Sequence, residues 1–176
     1  MKNLFFGIQF AIFGNNLNFY IIMGLFSFIK NAGKKLFSKK EEEAPIEEKV
    51  ELKASALLAH IQELGLAFNT LKVAVKADDS VVVTGEVAKQ EDAEKIVLAL
   101  GNVDGVETVD NQMTVAEPAP EARYHTVVKG DWLSKIAKEY YGDANKYNVI
   151  FEANKPMLKD PDEIYPGQVL RIPNLD

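Results

Sequence analysis

Cysteine is absent from the 176 residues, histidine occurs twice and tryptophan once. Without a thiol, neither a disulfide framework nor a thiolate metal site can form, and the compartment stays open on that ground. His60 falls among Leu57, Leu58 and Ile61 of a helical pattern, and His125 lies in a β-branched stretch. No second nearby histidine and no nucleophile turn accompanies either, so the chain does not read as an enzyme. Ser134 belongs to a helix start and reads as local capping chemistry. With 20 basic residues against 26 acidic ones the net charge is −6, and a nucleic-acid backbone is not an expected partner. Asp78, Asp79, Asp104 and Asp110 lack the spacing of a calcium loop and read as turn formers.

Long apolar runs are also missing. A spanning helix needs about 20 mostly apolar residues, and the one candidate, residues 1–22, is broken by Asn15, Asn16 and Asn18. Leu4 to Phe13 follows a single lysine as in a secretory leader, but Gly14-Asn-Asn-Leu-Asn interrupts it where a small-residue cleavage site belongs. The preferred reading makes residues 1–22 an upstream or leader-like extension, with the biological start at Met23 and a cytoplasmic product. A true leader would instead place the protein in the periplasm or envelope. From Met23, Gly-Leu-Phe-Ser-Phe-Ile opens an amphipathic helix with Gly33 as its cap, and a charged linker continues to residue 44. Lys34, Lys35, Lys39 and Lys40 beside Phe26, Phe28, Ile29, Leu36 and Phe37 offer a surface to anionic lipid. Glu41-Glu-Glu43 weakens that basic patch, so docking on the next domain is preferred to a membrane surface.

What is present begins at Pro45. Val50, Leu52, Leu57, Leu58, Ile61 and Leu64 predict a helix ending at Gly65, and Leu71-Lys-Val-Ala-Val alternates as a strand. After a turn at Asp78-Asp79, Val81–Val87 is a second strand, Gln90–Leu100 a helix and Glu107–Val115 a third strand. The order α-β-β-α-β over residues 45–115 calls for a small sheet covered by two helices. Residues 116–122, Ala-Glu-Pro-Ala-Pro-Glu-Ala, form a stiff polar linker that leaves the orientation of the flanking units free unless they share an interface.

Residues 123–174 carry a second pattern. Tyr124–Val128 predicts a strand, Asp131 stands at a helix N-cap position, and Leu133, Ile136, Ala137 and Tyr140 recur at helical spacing before Gly142. A second helix is expected from Ala144 to Ala153 with Tyr147, Ile150 and Phe151 inward, stopped by Asn154 and Pro156. Pro166-Gly167 supplies a type II turn, and Val169–Ile172 the returning strand. The fold class is therefore α+β, an αββαβ unit linked to a βααβ unit and preceded by a short N-terminal helix. No apolar stripe is left unassigned, so a monomer is expected.

Gly130-Asp131, Leu133-Ser134, Ile136-Ala137, Tyr141-Gly142-Asp143, Ala153-Asn154, Pro166-Gly167-Gln168 and Leu170-Arg-Ile-Pro173 resemble the LysM pattern. Trp132 departs from it, since the family usually has a small hydroxyl residue there. The resemblance implies binding of N-acetylglucosamine chains such as peptidoglycan by two loops, here Gly130, Asp131, Trp132 and Leu133 with Ala153, Asn154, Lys155 and Pro156. Ser80-Val-Val-Val-Thr-Gly-Glu-Val, Gly101-Asn-Val-Asp-Gly-Val106 and Val109-Asp-Asn111 resemble a BON domain. In that order, and introduced by Met-Gly-Leu-Phe-Ser-Phe, the two resemble the bacterial BON-LysM potassium-binding protein family. That resemblance implies a soluble protein that binds K⁺ and becomes more compact when it does, with LysM-mediated glycan binding at the envelope as the alternative.

That implication calls for places where the residues could hold K⁺. Neutral carbonyls replace the hydration shell of a monovalent hard cation without the charge density that suits calcium or magnesium. Helix C-termini expose such carbonyls at the negative end of the dipole. Two candidate ends are Ala99–Val106, with Gly101 and Gly105, and Ile29–Gly33. The expected cage uses carbonyls of Gly101, Asn102, Val103 and Val106, joined by Ile29, Ala32 and Lys34. Gly33 and Gly101 also read as ordinary helix caps, and Gly105 as a turn glycine.

Overall fold

The computed structural model describes residues 7–10, 20–39, 42 and 45–175, with the side chains of residues 7–10 and 20–23 left aside. The polar break at Asn15, Asn16 and Asn18 and the charges of Lys40, Glu41 and Glu43 lie outside the described residues.

The first unit is built on a five-stranded sheet in the order β1 (Gly7–Phe10), β2 (Tyr20–Ser27), β5 (Thr108–Glu117), β4 (Val81–Lys89), β3 (Thr70–Val75). Only β4 and β5 are parallel, and helix α2 (Gln90–Gly101) makes the crossover between them. Alternation in β5 puts Val109, Asn111, Met113 and Val115 inward against Val81, Val83 and Val87 of β4. Helix α1 (Ile46–Glu63) begins after Pro45, whose fixed φ suits a helix entry, with Glu47 and Glu48 facing the positive end of the dipole. It buries Leu57 and Ile61. Helix α2 differs in being buried almost all round: Ile96, Val97, Leu98, Ala99 and Leu100 are each at most 2 % exposed, so it has a neighbour on either side.

The second unit pairs β6 (Arg123–Thr126) with β7 (Val169–Ile172), antiparallel, around α3 (Leu133–Tyr141) and α4 (Tyr147–Ala153), the latter entered through a 3₁₀ turn at Ala144–Lys146. Leu133, Ile136, Ala137, Ile150, Leu158, Leu170 and Ile172 form its core. Tyr165–Gln168 closes as the expected turn, with Gly167 at φ +92° and the Gln168 amide donating to the Tyr165 carbonyl at 3.1 Å. The βααβ and αββαβ orders are both present.

Two expectations need correction. Residues 23–33 are not a helix: Tyr20–Ser27 is a strand, with Gly24 opposite Asn111 and Phe26 opposite Val109. The edge of β5 left open by β4 takes this strand, and the period-two arrangement sends Phe26 and Phe28 toward the core while Leu25 and Ile29 stay exposed. Tertiary pairing overrides the helical pattern. Asp131 does not cap α3, whose N-cap is Trp132 with no side-chain bond. Its carboxylate instead accepts from the Val128 amide at 3.0 Å and is claimed by Lys135 and His125. Among the described residues no helix is long and apolar enough to cross a membrane.

Between β2 and α1, residues 28–39 run as a strap over the C-terminal end of α2. Strap, α2 and β2 together form the surface on which the second unit sits. Val169 belongs to the first unit's core, the rings of Phe26 and Tyr124 meet edge to face at 5.5 Å, and Gly167 lies against Ala32 and Ile29. The linker thus joins two units that share an interface.

Candidate functional site

Where α2 ends, its last carbonyls are closed by a short loop: Leu98 accepts from the Asn102 amide at 2.9 Å and Leu100 from that of Val103 at 3.3 Å. The strap then locks onto this loop. Gly105 donates to the Lys30 carbonyl at 2.7 Å, Lys34 to that of Asn102 at 2.8 Å, and Asp104 to that of Lys34 at 2.9 Å. A Cβ on Gly33 would lie 2.4–2.5 Å from Asn102 O, Asp104 N and Val103 C, so the strap approaches the loop backbone as only glycine permits. One on Gly101 would enter the Phe28 ring. Gly33 and Gly101 are therefore contact glycines and not helix caps. Neither has the left-handed backbone of such a cap.

All seven residues of the expected cage fall on these two interlocked segments. Among the described residues the carbonyls of Ala32, Gly101 and Val106 accept none of the loop's hydrogen bonds, while those of Ile29, Asn102, Val103 and Lys34 each accept one. A carbonyl oxygen has two lone pairs, so the engaged ones keep an acceptor site. The donor set is neutral backbone oxygen at the negative end of a helix, which fits a monovalent hard cation. No group of three or more histidine and carboxylate side chains able to hold a metal occurs among the described residues.

Beside the interlock lies a cavity of about 390 Å³ walled by Lys30, Glu42, Lys53, Asp79, Asp104 and Gly105. The Lys53 side chain, 2 % exposed, reaches Glu42 and Asp79 at 3.0 Å each and lies 4.6 Å from the Phe37 ring. Burial alone would lower the Lys53 pKa, but the two carboxylates outweigh it and raise it. Lys53 thereby ties the far end of the strap to α1 and to the β3–β4 turn.

The expected glycan loops divide differently. Trp132 is 57 % exposed, as is Val128, with Lys135 Nζ 5.7 Å from the indole ring. Gly130 opens to solvent, and Lys155 pairs with Glu152 at 2.7 Å. Ala153 and Pro156 are half-buried. Leu133 is in the core, and Asn154 is spent on structure: its amide donates to Ile150 and Arg171 carbonyls at 2.7 and 2.8 Å and accepts from the Arg171 amide. The Asp131 carboxylate is likewise engaged within its own loop, so the side chains of Asp131, Leu133 and Asn154 serve the domain's own structure.

Sequence reasoning missed the groups that join the units. The Asn102 side chain donates to the Val169 carbonyl and accepts from its amide, both at 2.9 Å, extending β7 across the boundary. Glu94, 3 % exposed, accepts from Arg171 Nε at 2.6 Å, from the Ala122 amide at 3.0 Å and from Gln90 at 3.1 Å. The unbroken apolar run Ile96–Leu100 was the available signal that α2 is covered on both sides.

Residues 52–117 match the BON domain and residues 125–173 the LysM domain. A potassium binding protein Kbp from Escherichia coli O6:H1 is 47 % identical over 152 residues, covering 86 % of this chain and 99 % of that protein. An uncharacterized protein of Deinococcus radiodurans is 36 % identical over 132 residues, 68 % of this chain and 51 % of that protein. At that identity over nearly the whole of the E. coli protein, the chain belongs to the BON-LysM family of the potassium binding protein Kbp.

Proposed function

We propose that the protein is a K⁺-binding sensor or buffer, not an enzyme, and that it holds the ion with backbone carbonyls at the strap–loop interlock. The observation that supports this reading is the docking of Lys30–Lys34 on Asn102–Gly105, two segments on which the carbonyls of Ala32, Gly101 and Val106 accept none of the loop's hydrogen bonds among the described residues. Ile29, Asn102, Val103 and Lys34 complete the donor set. The relative's name supports the choice of ion. When bound, K⁺ would supply positive charge that offsets the mutual repulsion of the carbonyl dipoles around it. Because the strap and the LysM domain both rest on this loop, ordering the strap would draw the molecule together. Such a protein is expected to act as a monomer in the cytoplasm. Calorimetric titration of the full chain with KCl, against NaCl at equal ionic strength, tests the reading. Saturable heat and a smaller scattering radius in K⁺ alone support it, and identical behaviour in the two salts rejects it.

A second reading, N-acetylglucosamine glycan binding by the LysM domain, rests on the exposed Trp132 and Val128 beside Gly130. An exposed indole suits stacking on a sugar face. Quenching of the single tryptophan by chitin oligosaccharides supports it; unchanged fluorescence counts against it.

A further inference from the structure

A cavity of about 380 Å³ opens between the two domains, with Asn102 and Gln168 in its wall. The BON side and strap supply Lys34, His60 and Glu63, and the LysM side supplies Lys159, Glu163 and Tyr165. Each side thus brings one ammonium and one carboxylate. Among the described residues none of these four charges makes an ion pair with a side chain. Other charges of the chain are engaged, as at Glu94, Asp79 and Asp131. Leu64 and Met157 add an apolar wall.

What sets this cavity apart is that both domains bring both signs of charge to one wall. His60 lines it as well, 6 % exposed, with its Nδ1 shut off from solvent. No cluster of histidine and carboxylate side chains suited to a metal is present among the described residues. The volume falls in the lower range of small-molecule sites, which favour domain boundaries.

We propose that this cavity binds a small zwitterion of amino-acid or dipeptide size, whose carboxylate meets Lys34 or Lys159 and whose ammonium meets Glu63 or Glu163, with an apolar side chain against Leu64 and Met157. A ligand bearing both charges matches a wall that is neutral in sum but carries both signs. The inference is independent of the potassium reading, because it is tested at constant KCl.

The test follows the His60 imidazole resonances of the full chain by NMR during titration with L-leucine, L-methionine and glycyl-L-leucine. Isovalerate and isoamylamine, each carrying one of the two charges, are the controls. The expected result is a saturable shift at His60 with at least one zwitterion, at least about tenfold tighter than either control, a difference of about 1.4 kcal/mol. Replacing both ammonium groups (Lys34→Gln with Lys159→Gln) or both carboxylates (Glu63→Gln with Glu163→Gln), all at exposed positions, should weaken it about tenfold or more while leaving the LysM spectrum in place. No saturable shift with any of the three, or equal affinity for the singly charged controls, would overturn the proposal.

Discussion

Arg171 of β7 donates through Nε to Glu94 of α2 at 2.6 Å, across the boundary between the two domains. The side chains are 11 % and 3 % exposed, so this is a buried pair, and Glu94 also holds the linker through the Ala122 amide. Removing one partner of such a pair strands the other charge and costs about 3–5 kcal/mol. Arg171→Met is therefore expected to lower stability by about that amount and to split unfolding into two transitions. Urea denaturation checks this; a single transition with an unchanged midpoint would show that the domains do not depend on the pair.

Gly33→Ala places a methyl group against loop backbone that cannot yield as a flexible side chain would. Overpacking of this kind costs about 1–3 kcal/mol. The strap should lift from Asn102–Asp104 and K⁺ affinity should fall at least about tenfold, with the LysM domain intact. Calorimetry of the variant gives the answer, and wild-type affinity would place the ion elsewhere.

Asp131 is expected to stabilise the LysM loop in a pH-dependent way. Burial alone would raise its carboxyl pKa, but Lys135, the Val128 amide and His125 outweigh that and bring it from 3.8 to about 2. A depressed folded value means the stabilisation is present above 3.8 and is lost as pH falls through about 2. The difference corresponds to about 2 kcal/mol. Asp131→Asn should remove that part of the acid dependence, measured as melting temperature against pH, and an unaltered profile would contradict the assignment.

His60 acts in the same direction at higher pH. Burial, aided by the Lys34 charge and opposed by Glu63, holds its imidazole below the ordinary 6.5. The unfolded chain then binds the proton more readily than the folded one, so stability is full above 6.5 and declines as pH falls below it. His60→Gln should flatten that decline. An equal loss in both proteins between neutral and mildly acidic pH would assign it to other groups.

The second half of the molecule was legible because its signals are local. Gly142 ending α3, Pro166-Gly167 turning and Leu133, Ile136 and Ala137 at helical spacing each report on neighbours a few residues away. The α-β-β-α-β order was legible for the same reason. Residues 23–33 were misread because Leu25, Phe28 and Ile29 fit a helical stripe while Phe26 and Phe28 fit an alternating strand, and only the open edge of β5, some eighty residues on, decides between them. Gly33 and Gly101 were noticed for the wrong reason: a glycine that admits a distant backbone or ring looks the same in sequence as one that ends a helix. The seven cage residues nevertheless fall on two interlocked segments, since the carbonyl-rich end of α2 is itself a local feature. Asn102–Val169 and Glu94–Arg171 join residues too far apart for any spacing rule to pair.

The carbonyl ¹³C resonances of the full chain in KCl and in NaCl at equal ionic strength test the central claim most directly, because the proposed ligands are carbonyl oxygens. The account predicts saturable, K⁺-specific shifts concentrated at Ala32, Gly101 and Val106, with smaller ones at Ile29, Asn102, Val103 and Lys34. Shifts that are absent there, the same in both salts, or centred on carboxylates elsewhere would contradict it.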